Sequence, residues 1–331
     1  MDIVHEILRR PEIERDPPVL VDVGASGGLN SAWKKLAKYS VCVAFDPDER
    51  EMSATRKASS VYRELRVFNR AVSAAPDPQA VFHLTTAPAC SSLLRPNSQE
   101  LANWEFCHRF NVIKEELTET IPLSTALDVV GVKRVDWFKT DSQGTDLRLF
   151  LSLGGSLIPN VLVAEFEPGI IDAYEGEDKL WNVLKSMDEL GFWMSDMTVK
   201  GSSRIRKELV SELTRVEKDY MVHLHRASPG WAEVTYFNSM RGDDFTQRDY
   251  LLCWICAFIR RQYGFSIEVA SKGENVFGDA IFTKLKDHSI KSFRFSYLNA
   301  TAYLPLLIRA MRKWKKLGSI SFLRSVESRS S

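Results

Sequence analysis

The stretch Val19-Leu20-Val21-Asp22-Val23-Gly24-Ala25-Ser26-Gly27-Gly28 decides the fold class. Four apolar residues, three of them β-branched Val, form a run short enough for a buried strand, and the small residues that follow can only make a turn. A helical pattern then runs from Ser31 to Tyr39, with Ser31 or Asn30 as its cap. A second strand, Val41–Phe45, closes with Asp46-Pro47-Asp48, residues 49–58 read as helix, and Leu65–Val72 reads as a third strand. Strand, glycine turn, helix, strand is the order of a parallel sheet with right-handed crossovers.

Ala74 to Pro78 is turn chemistry, Ala80–Thr86 reads as one strand of a local hairpin, and residues 87–120 form an excursion rich in aromatic side chains. The α/β rhythm returns at Val135–Asp141, followed by Ser142-Gln143-Gly144 and a helix over Asp146–Leu153. Val161–Phe166 is the next buried strand, ending at Glu167-Pro168, and Lys179–Leu190 is helical with Leu180, Val183, Leu184 and Met187 on one stripe. Phe192–Val199 and Tyr220–His225 are the expected closing strands. Asp249–Tyr263 and Ala302–Leu317 read as helices separated by a bend at Lys272-Gly273-Glu274. The expected division is an N-terminal segment over 1–17, an α/β domain over 18–240 with 87–120 inserted on its acceptor side, and a helical extension over 241–331.

With 331 residues, 44% of them hydrophobic and 26% charged, the chain can build a core without metals or disulfides. Lys and Arg number 44 against 43 Asp and Glu, which leaves no basic field for a nucleic-acid partner. Met1–Pro18 is charged and lacks a secretory pattern, and the longest apolar run, Leu251–Ile259, is far short of the ~20 residues of a membrane span. Five scattered cysteines (42, 90, 107, 253 and 256) suit a reducing compartment, so a cytoplasmic location is expected. Cys253 and Cys256 have C-x-x-C spacing but no second pair to complete a zinc site. His223 and His225 would share one face of the expected last strand. The basic tail from Arg309 to Arg324 could rest weakly on an anionic membrane surface, and a solvated helix face is the plainer reading. Oligomeric state is not legible.

The glycine turn would let the main chain approach a ligand, and the helix start behind it favours a carboxylate or phosphate. Asp46, at the end of the neighbouring strand, would accept hydrogen bonds from the two ribose hydroxyls of an adenosine. The dinucleotide pattern Gly-x-Gly-x-x-Gly fails, because Ser26 and Leu29 stand where its second and third glycines belong. A methionine nucleoside therefore fits better than a pyrophosphate. The plain alternative is a tight strand–helix turn.

These residues, together with Ala44-Phe45-Asp46-Pro47, Asn69-Arg70-Ala71-Val72-Ser73, Ser91-Ser92-Leu93, Ile121–Asp128 and Val135–Gly144, resemble the FkbM family of methyltransferases. The match runs over 19–167; residues 200–331 resemble nothing familiar. It implies a Rossmann-like class I methyltransferase fold, with a seven-stranded, mostly parallel sheet whose last strand is antiparallel. It also implies S-adenosyl-L-methionine as cofactor and methyl transfer to oxygen. On the resemblance, Asp22, Gly24, Ala25, Ser26 and Gly27 surround the cofactor's amino-acid end, Asp46 holds the ribose, and Asn69 to Ala71 lie near the adenine. Where the family carries an acid before the glycine, this chain has Gln143, and the Glu usually found two residues after that glycine is Asp146.

Methyl transfer to an alcohol needs alignment and a destination for the hydroxyl proton. Strand-end polar residues are the candidates: Lys139 and Asp141 end one strand, Glu165 and Glu167 its neighbour. Asp141 is assigned as base or orienting group, with Lys139 and Glu165 as electrostatic partners. A purely structural Lys139–Asp141 pair is the competing reading. His108, in Trp104-Glu105-Phe106-Cys107-His108-Arg109-Phe110, could shuttle a proton beneath an aromatic acceptor lid, although aromatics at that spacing also suit a core. No metal is assigned. The expected partner is a hydroxyl on a small molecule, sugar or glycan. The alternatives are an NAD(P)-dependent oxidoreductase or epimerase, which lacks its glycines and a Tyr-x-x-x-Lys pair here, and a degenerate methyltransferase acting as a binding module, which Gln143 motivates.

Overall fold

The computed structural model describes residues 2–25, 28–47, 60–223, 226–242 and 244–296. Several expectations lie outside these residues: Ser26 and Gly27, the helices over 49–58 and 302–317, His225, and the basic tail. The chain divides into two compact units, one up to Cys256 and one from Ala257 on.

The first unit is built on seven strands: β1 (Val19–Val23), β2 (Val41–Phe45), β3 (Glu64–Phe68), β4 (Trp137–Thr140), β5 (Val163–Phe166), β6 (Phe192–Ser202) and β7 (Ser228–Asn238). They lie in the order β6-β7-β5-β4-β1-β2-β3. β1 runs parallel to β2 and β4, and β4 parallel to β5, while β7 is antiparallel to both β5 and β6. The last strand is thus the reversed one, as expected. β1 and β2 are buried along their whole length, which is why they read as continuous apolar runs rather than alternating ones. One face carries Val21, Val23, Val43, Phe45 and Phe138 into the main core, where Phe138 meets Phe150 of the helix Asp146–Leu151, ring centroids 5.4 Å apart. The other face sets Trp137 edge-on against Trp33, with ring centroids 6.0 Å apart.

The starts of the strands are pinned by buried charge. Asp136 accepts from the Val19 amide at 2.8 Å and takes the Arg248 guanidinium in bidentate fashion at 2.8 and 2.9 Å. Burial alone would raise the Asp136 carboxyl's proton affinity; the charge and hydrogen bonds of Arg248, with Arg134 and the Val19 amide, together outweigh it, and the group is held below the usual range.

Three local expectations need correction. Ser31–Tyr39 is two short 3-10 turns, not one α-helix, and Asn30 caps the first by accepting from the Ala32 amide at 3.0 Å. The stretch around Tyr220 is the end of a helix, Arg215–His223, and the closing strand is Ser228–Asn238. A reciprocal cap starts that helix: the Thr214 amide donates to Glu217 at 2.8 Å, and the Glu217 amide to the Thr214 hydroxyl at 3.4 Å. Thr-x-x-Glu was in plain view, but the alternating Tyr-Met-Val-His-Leu-His imitated a strand. The hairpin strand Ala80–Thr85 pairs with Val112–Thr118 across the aromatic excursion.

In the second unit, Lys272-Gly273-Glu274 lies within the helix Tyr263–Phe277 and makes no bend. A Cβ on Gly273 would come within 2.4 Å of the Phe282 ring. Close packing, not turning, demands the glycine. Cys253 and Cys256 are both buried in the helix Gln247–Ile259, as thiols without disulfides. No helix among the described residues is long and apolar enough to cross a membrane.

Candidate active site

The carboxyl ends of β1, β2 and β4 converge. At the end of β1 the chain turns through Gly24, whose φ is +75°. A Cβ there would lie 2.1 Å from the Asp141 carbonyl oxygen, so the approach of these two turns requires glycine. The amides of Gly24 and Ala25 both donate to the Phe45 carbonyl at 3.0 Å, and the Asp141 amide donates to the Val23 carbonyl at 2.9 Å. Three strand ends are thereby tied into one rim.

Beneath the rim lies a charged row. Asp22, fully buried, pairs with Lys139 at 3.0 Å, and the Lys139 ammonium also donates to the Gly24 carbonyl at 3.1 Å. Burial raises the Asp22 carboxyl's proton affinity, partly countered by Lys139. Burial works against the Lys139 charge as well, but Asp22 and Asp141 more than offset it and hold the ammonium protonated. Glu165 stands beside Lys139 in the sheet register and accepts from the Asn30 side chain at 2.6 Å. Lys139 and Glu165 therefore brace the Gly24 turn and its following segment from below. Lys139 finds its ion-pair partner in Asp22, where alternation had offered Asp141.

Two pockets open above the rim. The first is lined by Gly24, Phe45, Asp46, Arg70 and Ala71, among others; the second by Phe106, Arg109, Phe110, Glu167, Tyr174 and Trp231, among others. Asp141, Gln143 and Ala89 line both. Asp46 is buried, at 4% exposure, so its carboxylate belongs to the pocket wall and not to the open surface.

Asp141 is held by Gln143 and faces Glu167, and sequence reasoning missed Tyr174 and Trp231 behind them. Gln143 sits in the left-handed region, φ 57°, and its side-chain amide donates to Asp141. The Tyr174 hydroxyl lies 2.9 Å from both the Gln143 side-chain oxygen and the Cys90 carbonyl. Across the second pocket, Glu167 accepts from the Trp231 indole at 2.9 Å. Its carboxyl is raised to about 9, first by burial and then by the charge of Asp141 and a hydrogen bond to it. Burial and the neighbouring Asp141 thus favour the neutral form of the Glu167 carboxyl. Glu165 and Glu167 lie two residues apart, but β5 ends at Phe166, and only the second lies beyond the last strand residue. The Pro168 that follows was the available signal.

Asp146 serves the turn, not the pocket. Buried, it accepts from Thr140 at 3.1 Å, from the Ser142 amide at 2.9 Å and hydroxyl at 2.5 Å, and from the Glu167 amide at 2.7 Å. It fixes the strand ends that carry Asp141 and Glu167. His108 is exposed, with its ring 3.4 Å from the Glu105 carbonyl, and lines neither pocket. Its neighbours Phe106 and Phe110 do line the second pocket, while Trp104 is buried behind them in a small cluster with Leu101. The aromatic excursion is part wall and part core. Ala71 lines the first pocket, and Asn69 precedes that lining by one residue.

No family model matches the chain, and neither does any curated protein. Among solved structures, the chain is similar to precorrin-6y C5,15-methyltransferase from Geobacter metallireducens GS-15. The identity is 12% and the TM-score 0.32, over 72% of this chain and 86% of that one. It is also similar to StiE O-MT residues 961–1257, at 10% identity and TM-score 0.30, over 78% of this chain and 80% of that one.

Proposed function

We propose that the chain is an S-adenosyl-L-methionine-dependent O-methyltransferase of FkbM type, acting on a hydroxyl of a sugar, glycan or natural-product acceptor. The observation that carries this reading is the pair of pockets sharing Asp141 and Gln143 as a common wall. Group transfer between two molecules needs two sites with one junction, and the junction here holds a carboxylate.

The residues of the first pocket fit the cofactor. Asp46, a buried carboxylate at the end of β2, suits a ribose diol; Gly24, with no side chain, brings the end of β1 into the lining; and Phe45 and Ala71 give apolar walls for a base. When bound, the cofactor would supply an electrophilic methyl group on a positively charged sulfur, with a neutral thioether as leaving group. Asp141 would accept the proton of the acceptor's hydroxyl as that oxygen is methylated. Gln143 fixes the Asp141 carboxylate by donating to it, and protonated Glu167 keeps a second negative charge out of the pocket. The aromatic walls exclude water from the junction.

The test is methyl transfer from isotopically labelled S-adenosyl-L-methionine to a panel of sugar and phenolic hydroxyls. Intact protein is expected to label a hydroxyl, and Asp141→Asn to lose roughly 10²–10⁴-fold in rate while still binding cofactor. Undiminished turnover in Asp141→Asn contradicts the role given to Asp141. Cofactor binding without turnover on any acceptor supports the binding-module alternative.

A further inference from the structure

The second pocket holds more chemistry than a hydroxyl acceptor alone requires. Its volume, about 180 Å³, is close to the roughly 150 Å³ of engineered apolar cavities that accept one benzene ring. Its lining carries four aromatic rings in series, Trp231, Phe106, Phe110 and Tyr174, with successive centroids 6.1, 5.5 and 5.7 Å apart. Such walls suit a single flat or chair-shaped ring. The inner end is Asp141 with Glu167.

Arg109 is the only cationic residue in the pocket lining, and its side chain is exposed, which puts it at the open end. Among the described residues no carboxylate pairs with it. Its main chain is anchored, since the Arg109 carbonyl accepts from the Ala87 amide at 3.0 Å. The other acid in the lining, Glu177, is already satisfied by Lys179 at 3.2 Å and by the Ala173 amide at 2.7 Å. A guanidinium with a free donor fork, at the mouth of a ring-sized slot, matches an anion on the ring's outer edge.

We infer that the second pocket selects an acceptor whose single ring carries an anionic substituent, with Arg109 holding the anion and the hydroxyl pointing inward to Asp141. This rests on the reading of the pocket as the acceptor site, and it narrows the acceptor class to ring-bearing hydroxy acids, aromatic or saturated. Arg109 is a specificity-determining residue.

Calorimetry on the full chain without cofactor tests it, because anion preference is then read independently of methyl transfer. The probes are two matched pairs: 4-hydroxybenzoate against 4-hydroxybenzamide, and glucuronate against glucose. The acid of at least one pair is expected to bind about tenfold more tightly than its neutral counterpart. Arg109→Gln should erase that preference, and Arg109→Lys should restore part of it. The pair that shows the effect tells aromatic from saturated rings. Equal affinity for acid and neutral probe, a preference that survives Arg109→Gln, or no binding of any probe overturns the inference. S-adenosylhomocysteine binding measured on the same samples separates that outcome from failure of the methyltransferase reading.

Discussion

The pocket around Asp46 is built on the ends of β1 and β2, with the turn after β3, residues 82–93 and the Asp141 turn closing it. The pocket around Glu167 is gathered from the aromatic excursion, the segment after β5, and the start of β7, separated by more than a hundred residues. The first rests on main chain: a glycine that only φ +75° and a neighbouring carbonyl explain. The second rests on side chains packed around their own small cluster of Leu101, Trp104 and Phe106. A cradle made of main chain tolerates change in the side chains around it, whereas a slot made of rings can be retuned one residue at a time. The contrast suits a constant ligand on one side and a variable one on the other.

Gly24→Ala breaks the first pocket hardest. Strain at positive φ together with the clash on the Asp141 carbonyl should cost about 4 kcal/mol, read by denaturant unfolding, with cofactor binding lost. A fully stable, cofactor-binding Gly24→Ala protein shows that the two turns are not locked together. Trp104→Ala attacks the second pocket from behind. Removing this buried indole, stacked on Phe106 at 5.8 Å, should cost about 3 kcal/mol and weaken acceptor binding, with S-adenosylhomocysteine affinity unchanged. Loss of both affinities together would mean that the pockets are not built independently.

How much of this was legible in the sequence follows the same division. Val19–Gly28, Asp46 and Asp141 announced themselves because strand, turn and strand-end acid are local patterns. Tyr174 and Trp231 did not, because nothing local says which residues of distant loops face each other. Glu165 and Glu167 both stand at one strand end, and the sequence alone does not say that only Glu167 lines a pocket with Asp141. His108 was chosen for its titration range, yet the short 3-10 segment turns it to solvent and gives Phe106 and Phe110 to the pocket.

Glu167→Gln sharpens the electrostatic side of the comparison. A carboxyl whose folded-state value is raised from 4.5 to about 9 gives stability that is fully present below pH 4.5 and is lost as pH rises through about 9. Glu167→Gln keeps a neutral group at the same place, so its Tm should fall less between pH 6 and 9.5 than that of the intact protein. Parallel Tm curves contradict the protonated state assigned to Glu167. His108→Ala is expected to change rate and stability least, within about 0.5 kcal/mol on unfolding, because the ring is exposed. A large loss of turnover in that variant would return His108 to the mechanism.

The most direct measurement is a calorimetric titration of the intact chain and of Asp46→Ala with S-adenosylhomocysteine. One molecule should bind per intact chain, with roughly 10- to 100-fold weaker binding once the Asp46 carboxylate is gone. No heat of binding to the intact chain, or equal affinity in both proteins, would contradict a nucleoside site at the ends of β1 and β2.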